Sequence, residues 1–197
     1  MGTRSIIARR TEAKSWFDGD TFIGRYCHYD GYPTGTGVSI LRAVKQLGFK
    51  KAVSVLLDEH PAGWSAIAGV DWTKEIGLHD YPYPKGWDRV TEDYDRNEYP
   101  QCYCHEVSFT TSKVETPKSK FVHKREEEEG VLDNNSDFGC EYAYVIDEGS
   151  KMLTVYERTP NTFDVQWSHL IDVSLDNVQM AQAQLETAQS DFDEWEV

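Results

Sequence analysis

The sequence predicts an α+β fold: a mainly antiparallel sheet of about five or six strands, with a helical hairpin on one face and a C-terminal helix. Three observations lead to this class. Residues 4–10 and 21–29 are predicted strands, and residues alternate with period two in 142–156 and 163–168, as in strands. Apolar residues at helical spacing follow a glycine-rich loop after the second strand. The last twenty or so residues carry one continuous apolar seam.

The first two strands, residues 4–10 and 21–29, are predicted to form a hairpin through the turn Asp18-Gly19-Asp20. Antiparallel neighbours bring the beginning of one strand close to the end of the other. The hairpin should therefore place Arg4 near His28 and near the glycine-rich loop. Arg4 is the cation that we expect beside a bound anion.

The loop of residues 30–37, DGYPTGTG, precedes a helix with Ile40, Leu41, Val44 and Leu47 on one face, and a second helix is expected over residues 50–59. Thr34 or Thr36 is the candidate N-cap of the first helix. A helix start has unpaired backbone N–H groups that can hold an anion. The loop lacks the spacing of a P-loop or a dinucleotide fingerprint, so a tight connection that needs glycine for its geometry remains the alternative.

The junction of strand, loop and helix is the candidate ligand site. The segment 60–69 is predicted as a loop and 71–100 as an irregular, aromatic-rich segment. Trp64 is interpreted mainly as a core residue and, as the alternative, as a stacking platform. The predicted ligand-binding residues are Arg4, Arg25, His28, Asp30, Tyr32, Thr34, Gly35, Thr36, Gly37 and Trp64.

Four short segments, MGTRS from Met1, YCHYDGYP from Tyr26, HPAGWS from His60 and CYCH from Cys102, carry a resemblance. They are similar to segments of an uncharacterised family of small proteins from actinobacterial phages and bacteria. The similarity covers scattered blocks in the first ~105 residues. It implies a phage accessory protein and no particular activity or catalytic residue.

The net charge of −14 is unevenly distributed. Residues 1–60 contain nine Lys+Arg and six Asp+Glu, residues 61–125 nine and ten, and residues 126–197 two and eighteen. The negative net charge disfavours binding to duplex nucleic acid, although the basic first third could hold a small anion. No apolar stretch is long enough to span a membrane and no signal-peptide pattern is present, so we expect a cytoplasmic protein with reduced cysteines.

The segment Cys102-Tyr103-Cys104-His105 is the sharpest local motif. On a strand, the two thiols would point to the same side, and Cys140 could join them from the end of a loop. Cys102, Cys104, His105 and Cys140 are therefore candidate ligands of a structural zinc. The C-x-C spacing is less typical than C-x2-4-C, and buried reduced thiols are the alternative.

Residues 1–174 are predicted to form a single α+β domain, with a mobile polar segment at 110–139, followed by an acidic helix at 175–197. Ser174 is the expected N-cap of that helix. The seam of the helix is expected to pack within the chain, and pairing between subunits of a homo-oligomer is the alternative. Its residues are Val178, Ala181, Leu185, Ala188, Phe192 and Trp195.

Three functions are compatible with these patterns. The leading hypothesis is a phage accessory protein, acting in host takeover or anti-defence, that binds a small anionic ligand such as a nucleotide signal at the junction. The second is a small hydrolase in which His28 and Asp30 serve as acid and base, since residues two apart on an extended chain share a face. The third is an acidic decoy that binds a host protein through the last third of the chain.

Overall fold

The computed structural model describes residues 2–10, 22–60, 63–73, 101–102, 131–132, 139–158 and 167–193. Within these ranges the helices are α1 (Val38–Leu47), α2 (Phe49–Val53) and α3 (Val178–Asp193). Pro33–Gly37 forms a π-helical turn that runs into α1, and Ser54–Asp58 forms another that extends α2. The strands are β1 (Ser5–Arg10), β2 (Phe22–Cys27), β3 (Trp64–Ala66), β4 (Gln101–Cys102), β5 (Val131–Leu132), β6 (Tyr142–Asp147), β7 (Met152–Arg158) and β8 (Trp167–Ser174).

The described strands form one sheet in the order β4-β3-β2-β1-β6-β7-β8, with β5 also paired to β2. The pairs β1–β6 and β2–β3 are parallel, and the other described pairs are antiparallel. The predicted α+β fold with a mainly antiparallel sheet is confirmed, although the sheet is mixed. The parallel β1–β6 pair joins the N-terminal hairpin to the C-terminal strands, which lie far away in the sequence.

The predicted antiparallel pairing of the first two strands is confirmed. Ser5 at the start of β1 lies opposite Cys27 at the end of β2. The beginning of β1, the end of β2 and the start of the helical segment at Pro33 therefore meet at one corner of the sheet.

One face of the sheet carries the helices and the main core. Ile7, Tyr144 and Val155 lie side by side on adjacent strands, and all are fully buried beneath the helices. From α3, Ala181 and Leu185 are fully buried in the same core, so this part of the seam packs within the chain as predicted. The side chains of Phe192 and Trp195 lie outside the described residues. Burial of each large aliphatic side chain contributes about 1.5–3 kcal/mol, which makes this core the main source of stability.

Two predicted helix starts are wrong. The first helical segment begins at Pro33, and Thr34 and Thr36 lie inside its π-helical turn instead of capping it. Proline suits this first position because it lacks the N–H that would otherwise be unpaired there. Helix α3 begins at Val178, where the side chain of Asn177 accepts a hydrogen bond from the Met180 amide at 3.2 Å. Asn177 therefore takes the N-cap role that the sequence assigned to Ser174.

Two strand predictions also need correction. The segment 60–69, predicted as a loop, contains the short strand β3, which pairs through Trp64 with Cys27 of β2. The last strand, predicted over 163–168, continues to Ser174, whereas residues 163–166 lie outside the described residues. Antiparallel pairing with β7 decides where this strand ends, and the local alternation of apolar residues does not show that pairing.

Several predictions fall outside the described residues. These are the hairpin turn at 18–20, the irregular aromatic segment beyond residue 73, Cys104, His105 and most of the segment 110–139. Among the described helices, none combines the length and the apolar character that crossing a membrane requires.

Candidate functional site

The corner where β1, β2 and the Pro33–Gly37 turn meet, called the glycine corner below, contains most of the predicted ligand residues. Several of its backbone amides are already bonded within the chain. The Thr36 amide donates to the Asp30 carbonyl at 2.8 Å, and the Gly35 amide donates to the Tyr32 carbonyl at 3.0 Å. In this conformation these N–H groups are not available to a bound anion.

Glycine is required at the corner for close packing. A Cβ atom on Gly35 would lie 2.2 Å from the Asp30 carbonyl oxygen, closer than any real contact. One on Gly37 would lie 3.1 Å from both Leu185 of α3 and the ring of Tyr144. The structure therefore supports the interpretation of the loop as a tight connection whose glycines serve its geometry.

The Tyr144 side chain fills the space beneath the turn. Its hydroxyl donates a hydrogen bond of 2.7 Å to the Gly31 carbonyl and accepts one from the Gly37 amide. Complete burial raises the pKa of Tyr144 well above its ordinary value, so the hydroxyl stays protonated and keeps both bonds. Tyr144 thus closes the corner from the β6 side.

A small polar cluster closes the corner from the other side. The Ser5 hydroxyl donates to the Thr36 hydroxyl at 3.4 Å, and the Cys27 sulfur lies 3.7 Å from the same Thr36 oxygen. All three residues are fully buried. Burial raises the pKa of Cys27 to about 11, so the thiol is neutral near pH 7 and is a poor nucleophile.

The predicted acid–base pair, His28 and Asp30, lies at the rim of the corner, and both side chains are half-buried. His28 Nδ1 is 2.7 Å from the Tyr26 hydroxyl, and the Tyr32 hydroxyl donates to the Asp30 carboxylate at 3.3 Å. Asp30 has a φ of 56°, in the left-handed region. The extended-chain geometry that would place His28 and Asp30 on one face therefore ends before Asp30.

The remaining predicted residues have different positions. Arg4 and Thr34 are exposed, and a terminal nitrogen of Arg4 approaches Gly139. The Arg25 guanidinium donates to the Leu57 carbonyl at 2.8 Å and so joins β2 to the helical layer. Trp64 is fully buried and donates to the Leu56 carbonyl at 3.0 Å, which confirms its interpretation as a core residue.

The strand order bears on the predicted zinc site. Cys102 pairs with Trp64, Trp64 with Cys27, and Cys27 with Ser5, which pairs with Tyr142 of β6. Three strands therefore separate Cys102 from the strand that Cys140 precedes, a distance of roughly 19 Å at about 4.8 Å per strand. One zinc ion with bonds of about 2.3 Å to sulfur cannot join these two thiols.

Cys140 is therefore removed from the predicted ligand set, because the mixed strand order places it far from Cys102. A site made by Cys102, Cys104 and His105 stays a prediction. Within the described ranges, no group of three or more His, Cys, Asp or Glu residues is arranged to hold a metal.

A second candidate surface lies between strand β8 and helix α3. This β8–α3 groove has a volume of about 450 Å³. Met180 at its side is 59% exposed, a large value for an apolar side chain. The groove is lined by Leu170, Ile171, Met180, Ala183, Gln184, Thr187 and Ala188.

A β-bulge gives the groove its floor. Val155 of β7 pairs with Ile171, but the next residue, Tyr156, pairs with His169, so Leu170 is an extra residue in β8. A bulge breaks the strict alternation of side chains along a strand. This explains why two consecutive residues, Leu170 and Ile171, both line the groove.

The segment of the sequence that forms β8 and α3 is acidic, although two of its carboxylates, Asp172 and Asp176, are paired with His169 and Lys151. From residue 167 to residue 197 the sequence contains no Lys or Arg. In the same stretch it contains the acidic residues Asp172, Asp176, Glu186, Asp191, Asp193, Glu194 and Glu196. An apolar surface within a segment of one charge sign is typical of a binding surface for a molecule of the opposite sign.

Sequence reasoning missed this groove. Two signals pointed to it: the consecutive apolar residues Leu170 and Ile171, and a second stripe of Met180, Ala183 and Thr187 at spacings of three and four beside the buried seam. Compared with known proteins, the chain matches no family model, no curated protein and no solved structure.

Proposed function

We propose that this chain is an acidic protein-binding module that attaches to a partner protein through the β8–α3 groove. The observation that carries the proposal is an open apolar groove of about 450 Å³ within a segment that has seven acidic residues and no Lys or Arg. Apolar contact supplies affinity, and the surrounding charge selects a basic partner and accelerates the encounter.

The chemistry of the lining favours binding over catalysis at this surface. None of the lining residues is ionisable, and the Thr187 hydroxyl donates to the Ala183 carbonyl at 3.0 Å. General acid–base or nucleophilic catalysis needs a titratable or activated group within reach of the substrate. The groove therefore offers a surface for contact with a partner.

The phage setting implied by the sequence resemblance identifies the class of partner. In that setting the chain acts as an accessory protein in the host cell, and the partner is a host protein with a basic surface. The acidic last third then imitates the charge of a nucleic acid toward that protein.

Binding of a small anion at the glycine corner is the competing proposal. It is supported by the exposed Arg4 near the half-buried His28 and Asp30. It requires the Gly35 and Thr36 amides to exchange their present bonds for the ligand. Calorimetry against a panel of nucleotides tests it: heat that is lost in Arg4→Ala would favour the corner over the groove.

A photo-crosslinking residue tests the protein-binding proposal. It is placed at Met180 in the groove and, as the matched control, at the exposed Gln182 on another side of α3. In an actinobacterial lysate, we expect one protein, identified by mass spectrometry, to be captured from position 180 and not from position 182. The same product must form when the purified partner replaces the lysate. Equal capture from both positions, or none, would contradict the proposal.

A further inference from the structure

The described helices form a layer that ends at α3, over the edge strand β8. Helix α1 packs against both α2 and α3, and α3 packs over β8. The order across this face is therefore α2, α1, α3. The β8–α3 groove lies beside α3, between this helix and β8.

We infer that the occupant of the groove is an amphipathic helix of the partner that carries Lys or Arg, lying along α3 as the next helix of this layer. The inference rests on the proposed function and specifies its partner. The expected partner segment is a helix with apolar anchor residues on one face and basic residues around them.

The exposed side of α3 has the shape that helix packing requires. Met180, Ala183, Gln184 and Thr187 follow one another at helical spacing along the groove. Apart from Met180, the side chains of this stripe are small or flexible, so a second helix axis can approach to about 8–10 Å. Leu170 and Ile171 of β8 then contact the apolar face of the incoming helix from below.

The bulge in β8 disfavours a strand as the occupant. A partner strand would have to pair along the outer edge of β8, the last strand of the described sheet on that side. The extra residue Leu170 interrupts the regular repeat of backbone groups in the middle of β8. A continuous ladder of hydrogen bonds along this edge is therefore disfavoured, whereas a helix needs no such ladder.

Charge selects a basic partner over a second copy of this chain. The last 31 residues contain seven acidic side chains and no Lys or Arg. The C-terminal end of α3 adds the partial negative charge of its unpaired carbonyls. A second copy would bring two such segments together, and like charges repel. Lys or Arg residues on the partner would instead be attracted to this segment.

The length of the stripe predicts the pattern of the partner helix. Met180 and Thr187 are seven residues apart, which corresponds to roughly 10 Å, or about two helical turns. The partner should therefore have apolar residues at positions i, i+3, i+4 and i+7. Its Lys and Arg residues should lie on the remaining faces.

A set of three synthetic peptides tests this against the full-length protein. All are about 18 residues long and have the same composition of Leu, Ala and Lys. In one, Leu recurs at i, i+3, i+4 and i+7; in the second, Leu and Lys alternate as in a strand; in the third, the order is scrambled. Fluorescence anisotropy measures binding, and far-UV circular dichroism measures the helix content of the mixture.

We expect the helical-pattern peptide to bind at least about tenfold more tightly than the other two and to gain helix content on binding. Ala183→Arg places a bulky cation in the groove and should weaken binding by about tenfold or more. Gln182→Arg adds the same charge outside the groove and should change binding by less than about threefold. Thr187→Arg repeats the test if Ala183→Arg does not fold.

Tighter binding of the alternating peptide or equal binding of the scrambled peptide would overturn the inference. So would equal losses of binding in Ala183→Arg and Gln182→Arg, or no binding of any peptide. A concentration-dependent dimer in sedimentation that Ala183→Arg abolishes would show that a second copy occupies the groove, and would also overturn it. If position 180 still crosslinks to a partner while the helical peptide does not bind, the protein-binding proposal stands and the helical occupant is wrong.

Discussion

The glycine corner and the β8–α3 groove differ in whether their side chains are buried or exposed. At the corner, Tyr144 and Thr36 are buried, and the amides of Gly35 and Thr36 are bonded within the chain. At the groove, Met180 is 59% exposed. Polar groups concentrated in a glycine-rich sequence therefore serve internal packing here, whereas an inconspicuous apolar stripe forms the exposed surface.

Helix α3 connects the two regions. Leu185 packs against the turn at Gly37, while Met180 and Ala183 line the groove on another side of the same helix. Substitutions on these two sides of α3 should therefore separate stability from binding.

The largest expected effect comes from Leu185→Ala. It leaves a cavity between α3 and the glycine corner and should lower the free energy of unfolding by about 2–5 kcal/mol. Met180→Ala, in the same helix, should change that free energy by about 0.5 kcal/mol or less because the side chain is largely exposed. Urea unfolding followed by circular dichroism measures both. Equal losses would mean that the groove side of α3 is as closely packed as the corner.

Tyr144→Phe removes the hydroxyl that bonds to Gly31 and leaves that carbonyl without this donor. We expect a loss of about 1–3 kcal/mol in the free energy of unfolding. Tyr29→Phe is the matched control, since Tyr29 is exposed and should lose little. If Tyr144→Phe is as stable as the wild type, the hydroxyl does not hold the corner closed.

The Cys27 thiol should make the corner sensitive to alkali. Its pKa is raised to about 11 in the folded chain, whereas a thiol in the unfolded chain titrates near 8.5. Between these values the unfolded chain releases a proton that the folded chain retains, so stability falls as the pH rises from about 8.5 to about 11. Urea unfolding at several pH values measures this fall.

Cys27→Ser provides the control for the alkaline effect. The two proteins differ only at residue 27, so the difference between their stability curves isolates Cys27. We expect the variant to lose less stability than the wild type across this range. Parallel curves for the two proteins would show that Cys27 is not the group responsible.

The smallest expected effect is that of Ala183→Leu in the groove. Because Ala183 is exposed, the added atoms extend into open space, and the free energy of unfolding should change by about 0.5 kcal/mol or less. The melting temperature, measured by scanning calorimetry, checks this. A large drop would show that the groove is too narrow for the added atoms and is therefore not open to a partner.

Much of the fold could be predicted because its signals are local. The alternation in 142–156 predicted β6 and β7, and the seam of Ala181 and Leu185 predicted a helix that packs within the chain. The cap at Asn177 and the end of β8 were predicted wrongly. Several residues can cap a helix equally well, and strand ends depend on the partner strand.

The sites were predicted less well than the fold. The sequence indicated that Arg4, His28 and the glycine-rich loop would meet, and the β1–β2 pairing brings that corner together. It could not indicate that Tyr144, more than a hundred residues later, would fill the space beneath the loop. Nor could it show that three strands would separate Cys102 from the strand after Cys140.

By itself, the sequence determined the spacing of apolar residues in the clearly patterned strands and helices, and the acidic character of the last third. Both follow from the order of residues along the chain, whatever the chain packs against. The tertiary structure decided which polar groups are buried and which apolar groups are exposed. Those outcomes depend on the parallel β1–β6 pairing and on the bulge at Leu170, which are contacts between distant segments with no local signature.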